Sequence, residues 1–86
     1  MKTAYILAAQ YERAVIPVEV VARDYFGGLD KDTFLRKVGA GEIRLPVIRM
    51  EERSQKGARG VHVEDLAALI DQRRAAAVKE MRQLHG

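Results

Sequence analysis

Apolar residues recur every three or four positions over most of this chain, which is the spacing of amphipathic helices. Pro17 and the Gly27-Gly28 pair interrupt the pattern before residue 40. Proline suits the first turn of a helix and paired glycines mark a tight turn, so three helices are predicted, over about 3–13, 17–26 and 30–40. Thr3 and Asp30 are the predicted caps of the first and third helices.

Each of these segments has its own recurring positions. In the third helix Phe34, Leu35 and Val38 form the inward stripe. The corresponding positions of the first helix are Tyr5, Ile6, Ala9 and Gln10, and those of the second are Val18, Val21, Ala22 and either Tyr25 or Phe26.

The period changes after the third helix. Ile43, Leu45 and Val47 alternate with polar positions, which predicts a strand, and Pro46 restricts that strand to the edge of a sheet. Residues 51–58 have the composition of a loop, and residues 59–63 are predicted to return as a second strand. A final, alanine-rich helix is predicted over about 64–84, with its apolar residues near one face.

Two short helices joined by a glycine turn, then a hairpin, follow the order of a winged helix-turn-helix. The predicted fold is therefore mainly α with a small β-hairpin and a long C-terminal helix. The helix-turn-helix would span about 17–40, the wing about 43–63 and the C-terminal helix about 64–84. Because the chain has 86 residues, we expect residues 1–86 to form a single DNA-binding domain.

The composition limits the class of protein and where it is expected to act. The chain is 48% hydrophobic and 31% charged and has no cysteine, which predicts a globular protein without disulfides or thiolate metal sites. The longest apolar run near the start covers only residues 4–9, too short for a signal peptide or a membrane span. We therefore expect a cytoplasmic protein with no membrane partner.

The net charge of +3 is confined to one part of the chain. Residues 43–62 carry five cations and two carboxylates, whereas the segments before and after them are balanced. A localised basic segment favours an anionic partner such as nucleic acid. The basic segment contains no aromatic residue on which unpaired bases would stack, so duplex DNA is the expected ligand.

The third helix is the predicted recognition helix. With its apolar stripe inward, the polar side chains left for base edges are Lys31, Thr33, Arg36 and Lys37. The predicted wing residues for the DNA backbone are Arg44, Arg49, Arg53, Ser54, Gln55, Lys56 and Arg59. The alternative is that both groups are only solvated surface.

Nothing in the sequence predicts an enzyme. His62 and His85 have no partner at the spacing of a metal site or a catalytic triad, and no glycine pattern for phosphate binding precedes a helix. We predict no catalytic residue, no metal and no cofactor. Small DNA-binding domains act in pairs, so a homodimer or several copies on DNA are expected, with contacts from Leu69, Ile70, Val78, Met81 and Leu84.

The chain resembles a known family over about residues 4–80. The matching runs are Ala9-Gln10-Tyr11, Val15-Ile16-Pro17, Asp24-Tyr25-Phe26-Gly27, Phe34-Leu35-Arg36-Lys37-Val38, Gly41-Glu42-Ile43-Arg44-Leu45-Pro46, Ser54-Gln55-Lys56, Ala58-Arg59-Gly60-Val61-His62 and Asp65-Leu66-Ala67. In order and spacing they resemble the PrtN-type pyocin activator proteins. The layout is also similar to excisionase and MerR-type winged helices.

The resemblance implies a function. Members of that family are small bacterial transcription activators that bind upstream of bacteriocin and prophage-like genes and are induced when DNA damage removes a repressor. By that resemblance this chain is expected to be nucleoid-associated, to bind duplex DNA sequence-specifically and to assist RNA polymerase. The alternative is a phage-derived adaptor or antirepressor, whose basic hairpin binds an acidic protein surface without reading DNA.

Overall fold

The computed structural model describes residues 2–53 and 57–85. Over these residues the chain forms four helices and a small three-stranded antiparallel sheet, so the prediction of a mainly helical fold with a hairpin is confirmed. A winged helix-turn-helix is compatible with this element order. The elements are α1 (Thr3–Tyr11), β1 (Val15–Pro17), α2 (Val18–Tyr25), α3 (Lys31–Gly39), β2 (Ile48–Arg49), β3 (Arg59–His62) and α4 (Val63–His85).

The sheet has the strand order β1-β3-β2, so β3 is its central strand. Ile16 of β1 pairs with Val61, and Ile48 of β2 pairs with Gly60. The sequence did not predict β1, because a three-residue strand is too short to show alternation. Pro17 is tolerated in it because β1 lies at the edge, where one side of the strand needs no ladder donor.

The strand predicted from Ile43 is wrong for most of its length. β2 contains only Ile48 and Arg49, and the residues before it are irregular. Ile43 and Leu45 are nevertheless buried in the core. The alternation of apolar and polar residues therefore reflects the burial of one side of this segment and not a strand. Pro46, which cannot donate a hydrogen bond to a ladder, lies between them and β2.

The core joins all four helices to the sheet. Its largest fully buried side chains are Phe34, Ile16, Leu66, Val18, Val21 and Val61. Phe26, at the end of α2, packs against Phe34 of α3 with ring centroids 5.3 Å apart, so an aromatic pair holds these two helices together. Of the two aromatic candidates in α2, Phe26 packs against the core and Tyr25 is exposed.

The turn between α2 and α3 depends on its glycines. Gly27 and Gly28 have φ values of 68° and 80°, in the left-handed region that favours glycine. The N–H groups of Phe26 and Gly28 both donate to the carbonyl of Ala22 at 3.1 Å, which closes the end of α2. The chain can therefore begin α3 three residues after Gly28, at Lys31.

α1 differs from its prediction in two respects. Lys2 occupies the cap position, and the Thr3 hydroxyl instead donates to Asp71 of α4 at 2.6 Å. The helix ends at Tyr11, because Glu12 adopts a left-handed conformation with φ of 54°. Tyr5 and Ile6 face solvent, while Leu7 is buried, so the inward side of α1 is not the side that the apolar spacing predicted.

α1 lies antiparallel to the first part of α4. Thr3 is bonded to Asp71 at one end, and the Val63 N–H donates to the Ala14 carbonyl at 2.9 Å just beyond the other. The part of α4 after Asp71 therefore extends past the start of α1. At 1.5 Å per residue, the fourteen residues from there to His85 cover about 21 Å.

Candidate nucleic-acid interface

The position of α3 is fixed from its inner side. Phe34 is fully buried against α2, and Leu35 and Val38 pack against the same core. The Asp30 carbonyl accepts a hydrogen bond from the Phe34 N–H at 2.9 Å, so Asp30 occupies the cap position, although its side chain makes no capping bond. With these contacts, the opposite side of α3 is directed toward solvent.

That outer side brings together Asp32, Thr33 and Arg36. Arg36 lies four residues after Asp32 and three after Thr33, so the three side chains are neighbours on one helix surface. Asp32 and Arg36 are exposed and Thr33 is half-buried. Lys31 is exposed at the start of the helix, away from Arg36 around the axis, and Lys37 is half-buried beside this surface. Of the four predicted recognition residues, two therefore share the outer surface.

Asp32 is the residue on this surface that the sequence prediction omitted. An acidic residue in the first turn stabilises the positive end of a helix, and that role alone explains its presence. The sequence did contain a signal for including Asp32: it lies four residues before Arg36, which places both side chains on one side of a helix. A carboxylate here can accept a hydrogen bond from the amino group of cytosine, a base-edge contact that a surface of cations alone would lack.

The hairpin places two predicted wing residues directly opposite each other. Arg49 of β2 pairs in register with Arg59 of β3, so both side chains leave the same face of the sheet. Arg59 is two residues before Val61, which faces the core, so this is the side of the sheet toward the helices.

The other predicted wing residues are less closely grouped. Arg53 is exposed in the turn after β2. Ser54, Gln55 and Lys56 lie outside the described residues. Arg44 is not in the hairpin: it precedes β2 and lines a groove of about 860 Å³ between the end of α2 and α4.

His62 has a structural contact. Its Nδ1 atom accepts a hydrogen bond from the Glu64 N–H at 3.1 Å, in the manner of a cap at the start of α4. Sequence reasoning placed His62 in the returning strand without predicting this bond. The imidazole therefore joins the hairpin to the last helix.

Asp24 connects α2 to α1. Its carboxylate accepts hydrogen bonds from Arg23 Nε at 2.9 Å and from the Tyr11 hydroxyl at 2.7 Å. The bond from Arg23, followed by that from Tyr11, holds the pKa of Asp24 below its ordinary value. Burial, followed by the bond to Asp24, raises the pKa of Tyr11 well above its ordinary range.

Comparison with known protein families gives one match. The sequence model described as Pyocin activator protein PrtN matches residues 3–77. The chain belongs to this pyocin activator family. That places it among regulators of pyocin genes, and a transcriptional activator family is not a class of enzymes. No curated protein and no solved structure matches the chain at a significant level.

The family match covers α3, the hairpin and the first two-thirds of α4. Two of the predicted self-association residues, Leu69 and Ile70, lie within it and pack partly against the core. The other three, Val78, Met81 and Leu84, lie beyond it. Val78 is half-buried, whereas Met81 and Leu84 are exposed.

Two further features concern the described ranges as a whole. Within residues 2–53 and 57–85 no group of three or more acidic or histidine side chains is arranged to hold a metal ion. None of the helices found there has the length and apolar character needed to cross a membrane.

Proposed function

We propose that this pyocin activator family member is a winged helix-turn-helix protein that reads duplex DNA sequence-specifically. In this proposal residues 1–86 act as one domain. α3 enters the major groove, and the hairpin from β2 to β3 contacts the sugar-phosphate backbone beside it.

The observation that carries the proposal is the division of α3 into two sides. Phe34 anchors the helix in the core, while Asp32, Thr33 and Arg36 share its outer surface. A recognition helix needs this arrangement, because base-edge contacts discriminate only when the helix that presents them is held in a fixed position. Family membership adds that the protein acts on pyocin genes.

The side chains of α3 match the chemistry of base edges. An arginine donates two hydrogen bonds to O6 and N7 of guanine, and a carboxylate accepts one from N4 of cytosine. Arg36 and Asp32 are therefore proposed as the main base-reading residues. Thr33, Lys31 and Lys37 supply contacts to neighbouring base edges or phosphates.

The hairpin supplies contacts that do not depend on sequence. Arg49 and Arg59 place two positive charges at the last strand pair before the connecting loop, and Arg53 adds a third in the following turn. Phosphate contacts of this kind position a protein on DNA and contribute most of its salt-dependent affinity. Ser54, Gln55 and Lys56 remain proposed backbone contacts.

We further propose the setting that the family implies. The protein would act in the bacterial cytoplasm, on the nucleoid, at promoters of bacteriocin or prophage genes after DNA damage. It would do so by assisting RNA polymerase, as an activator that binds upstream DNA.

The test is selection of random DNA duplexes by the purified protein, followed by fluorescence anisotropy on the selected sequences at two salt concentrations. We expect an enriched motif bound about a thousandfold more tightly than unrelated duplexes. Weak binding without enrichment, and steeply dependent on salt, would contradict sequence-specific reading. Retention of a protein partner in the presence of excess duplex would then favour the adaptor function.

A further inference from the structure

The second half of α4 leaves the core with its apolar side uncovered. Leu66 and Ile70 face the interior, and the same row continues along the helix through Arg73, Ala77, Met81 and Leu84 at helical spacing, apolar at every position but Arg73. Residues of α2 and of the segment after α3 flank α4 as far as Ala76, the last α4 residue that lines a groove with them. Met81 is 52% and Leu84 73% exposed, so this row reaches solvent where the core ends.

A groove lies at the base of the same helix. Its apolar lining consists of Tyr25 and Phe26 from α2, Ile43 from the irregular segment, and Leu66, Leu69 and Ile70 from α4. Its volume of about 860 Å³ is enough for several side chains. Both features therefore lie along α4. The groove is near Ile70, and the uncovered row is near Leu84.

We propose that a second copy of this chain covers both features, with the two α4 helices packed antiparallel across a two-fold axis near Ala77. Ile70 and Leu84 lie seven residues to either side of Ala77. A two-fold axis at Ala77 therefore places Leu84 of each copy against Ile70 of the other, at the groove. Such an interface is isologous, so one pairing fills both grooves.

Two charges in or beside this row fit the same register. Arg73, which lines the groove, and Glu80 are seven residues apart, and two helical turns place them on the same side. The two-fold axis brings Arg73 of each copy beside Glu80 of the other. The pairing thus makes two ion pairs between opposite charges.

Neither of these charges has an opposite charge within reach along its own helix. Partners on a helix surface lie three or four residues away. Those neighbours are Leu69, Ile70, Ala76 and Ala77 for Arg73, and Ala76, Ala77, Gln83 and Leu84 for Glu80. Outside α4, Glu42 lines the same groove as Arg73. A second copy supplies each of the two charges with a partner that it lacks along its own helix.

The crossing point is built from small side chains. Ala77 lies on the contacting side of α4 with Ala76 beside it, and small residues at a contact allow two helix axes to approach closely. Arg44 lies at the rim of the groove and is covered by this contact, which removes it from the proposed wing. Among the described residues, none of α3 or of the hairpin lines the groove, so self-association leaves the proposed DNA-binding surface open.

The experiment is sedimentation equilibrium of the full chain without DNA, over about 1 to 100 µM, a range that measures micromolar dissociation constants. We expect a monomer–dimer equilibrium. Arg73→Glu and Glu80→Arg should each weaken the dimer about tenfold or more, because each converts two ion pairs into two repulsions. The double variant should recover most of the wild-type affinity.

Lys79→Glu is the matched control. It makes the same charge change as Arg73→Glu, but Lys79 lies on the side of α4 opposite Ala77, so the dissociation constant should stay within about threefold of wild type. Thermal unfolding followed by circular dichroism establishes that each variant is folded.

Three results would overturn the proposal: a monomeric wild type across this range, equal effects of Arg73→Glu and Lys79→Glu, or no recovery in the double variant. Because DNA is absent, none of these results bears on sequence-specific reading, which the duplex selection tests separately.

Discussion

Phe26 and Phe34 meet edge to face, with their ring planes 67° apart. Phe26 is the residue that caps α2 and Phe34 lies one turn into α3, so this contact sets how α3 is held against α2. Edge-to-face geometry places the positive edge of one ring on the negative face of the other, which adds about 0.5–1.5 kcal/mol to the burial of the rings. The outer side of α3 is therefore oriented by a contact on its inner side.

Replacing Phe34 with leucine tests this relationship. Phe34→Leu loses the aromatic contact and leaves a small cavity, so we expect the free energy of unfolding to fall by about 1–2 kcal/mol in urea denaturation. Tyr5→Leu is the control, because Tyr5 is 66% exposed on α1 and its loss should change stability by less than about 0.5 kcal/mol. Equal losses from the two variants would contradict the proposed importance of the contact.

Arg36 and Arg49 are expected to act differently on DNA. Arg36→Ala should cost about 1–3 kcal/mol on the selected sequence and relax the preference at one base position. Arg49→Ala should weaken binding to all duplexes alike and reduce the slope of log affinity against log salt by about one unit. Anisotropy on matched and mismatched duplexes separates the two effects, and indistinguishable behaviour would refute the division between α3 and the hairpin.

Gly60 occupies a position where no side chain fits. A Cβ atom there would lie 2.8 Å from the Ile16 carbonyl oxygen and would collide with Val15 Cγ1, because β1 crosses close to β3. Gly60→Ala should therefore lower the free energy of unfolding by about 1–3 kcal/mol.

Gly39→Ala provides the opposite case within the same chain. A Cβ atom at Gly39 would meet nothing within 4 Å, and alanine has the higher helix propensity. Chemical denaturation should show unchanged stability or a gain of up to about 1 kcal/mol. If both alanine variants lost stability equally, the close approach of β1 and β3 would not be the cause.

The hydrogen bond that His62 accepts at the start of α4 predicts different stabilities for two substitutions of His62. Asparagine can accept a hydrogen bond from the Glu64 N–H, as the imidazole does, whereas leucine fills space but accepts nothing. We expect His62→Leu to be less stable than His62→Asn by about 1 kcal/mol, the usual size of a capping contribution. Thermal unfolding monitored by circular dichroism measures the difference, and a more stable leucine variant would exclude a capping role.

The contacts of Asp24 predict an acid dependence of stability. Hydrogen bonds from Arg23 and Tyr11 lower its pKa in the folded protein, so its contribution is complete above the ordinary pKa of 3.8. The contribution is lost as the pH falls through the folded value. Below about pH 5 the wild type should lose stability more steeply than Asp24→Asn, whose amide does not titrate in this range.

Urea denaturation at a series of pH values measures the two slopes. Tyr11→Phe removes one of the two donors and keeps the contact with Arg23, so its curve should lie between those of the wild type and Asp24→Asn. Parallel curves for all three proteins would contradict the assignment to Asp24.

Much of this fold could be predicted because its signals are local. Pro17 and the Gly27-Gly28 pair divide the helices, and the spacing of Phe34, Leu35 and Val38 identifies the inner side of α3. The same spacing was misleading in α1, where Tyr5 and Ile6 are exposed. Which side of a short helix is buried depends on what lies beside it, and α1 packs on α4, a helix about sixty residues later in the sequence.

The candidate site was predicted from charge, and the structure changes the position of some of its residues. Counting cations located the hairpin, but it also included Arg44, which lies at a groove because the chain from Ile43 to Val47 remains irregular. Asp32 was omitted because its carboxylate carries the same negative charge as the DNA backbone. The pairing of Arg49 with Arg59 depends on strand register, which the sequence of the connecting segment does not specify.

β3 ends at His62 and α4 begins at Val63, so no hinge separates the hairpin from the last helix. The Val63 N–H bond to the Ala14 carbonyl fixes this junction to the turn before β1 as well. The angle between hairpin and helix is therefore built into the protomer. In a dimer joined through α4, the length of α4 would set the separation and the relative rotation of the two hairpins. Inserting or deleting residues in α4 would change which half-site spacing on DNA the pair can span.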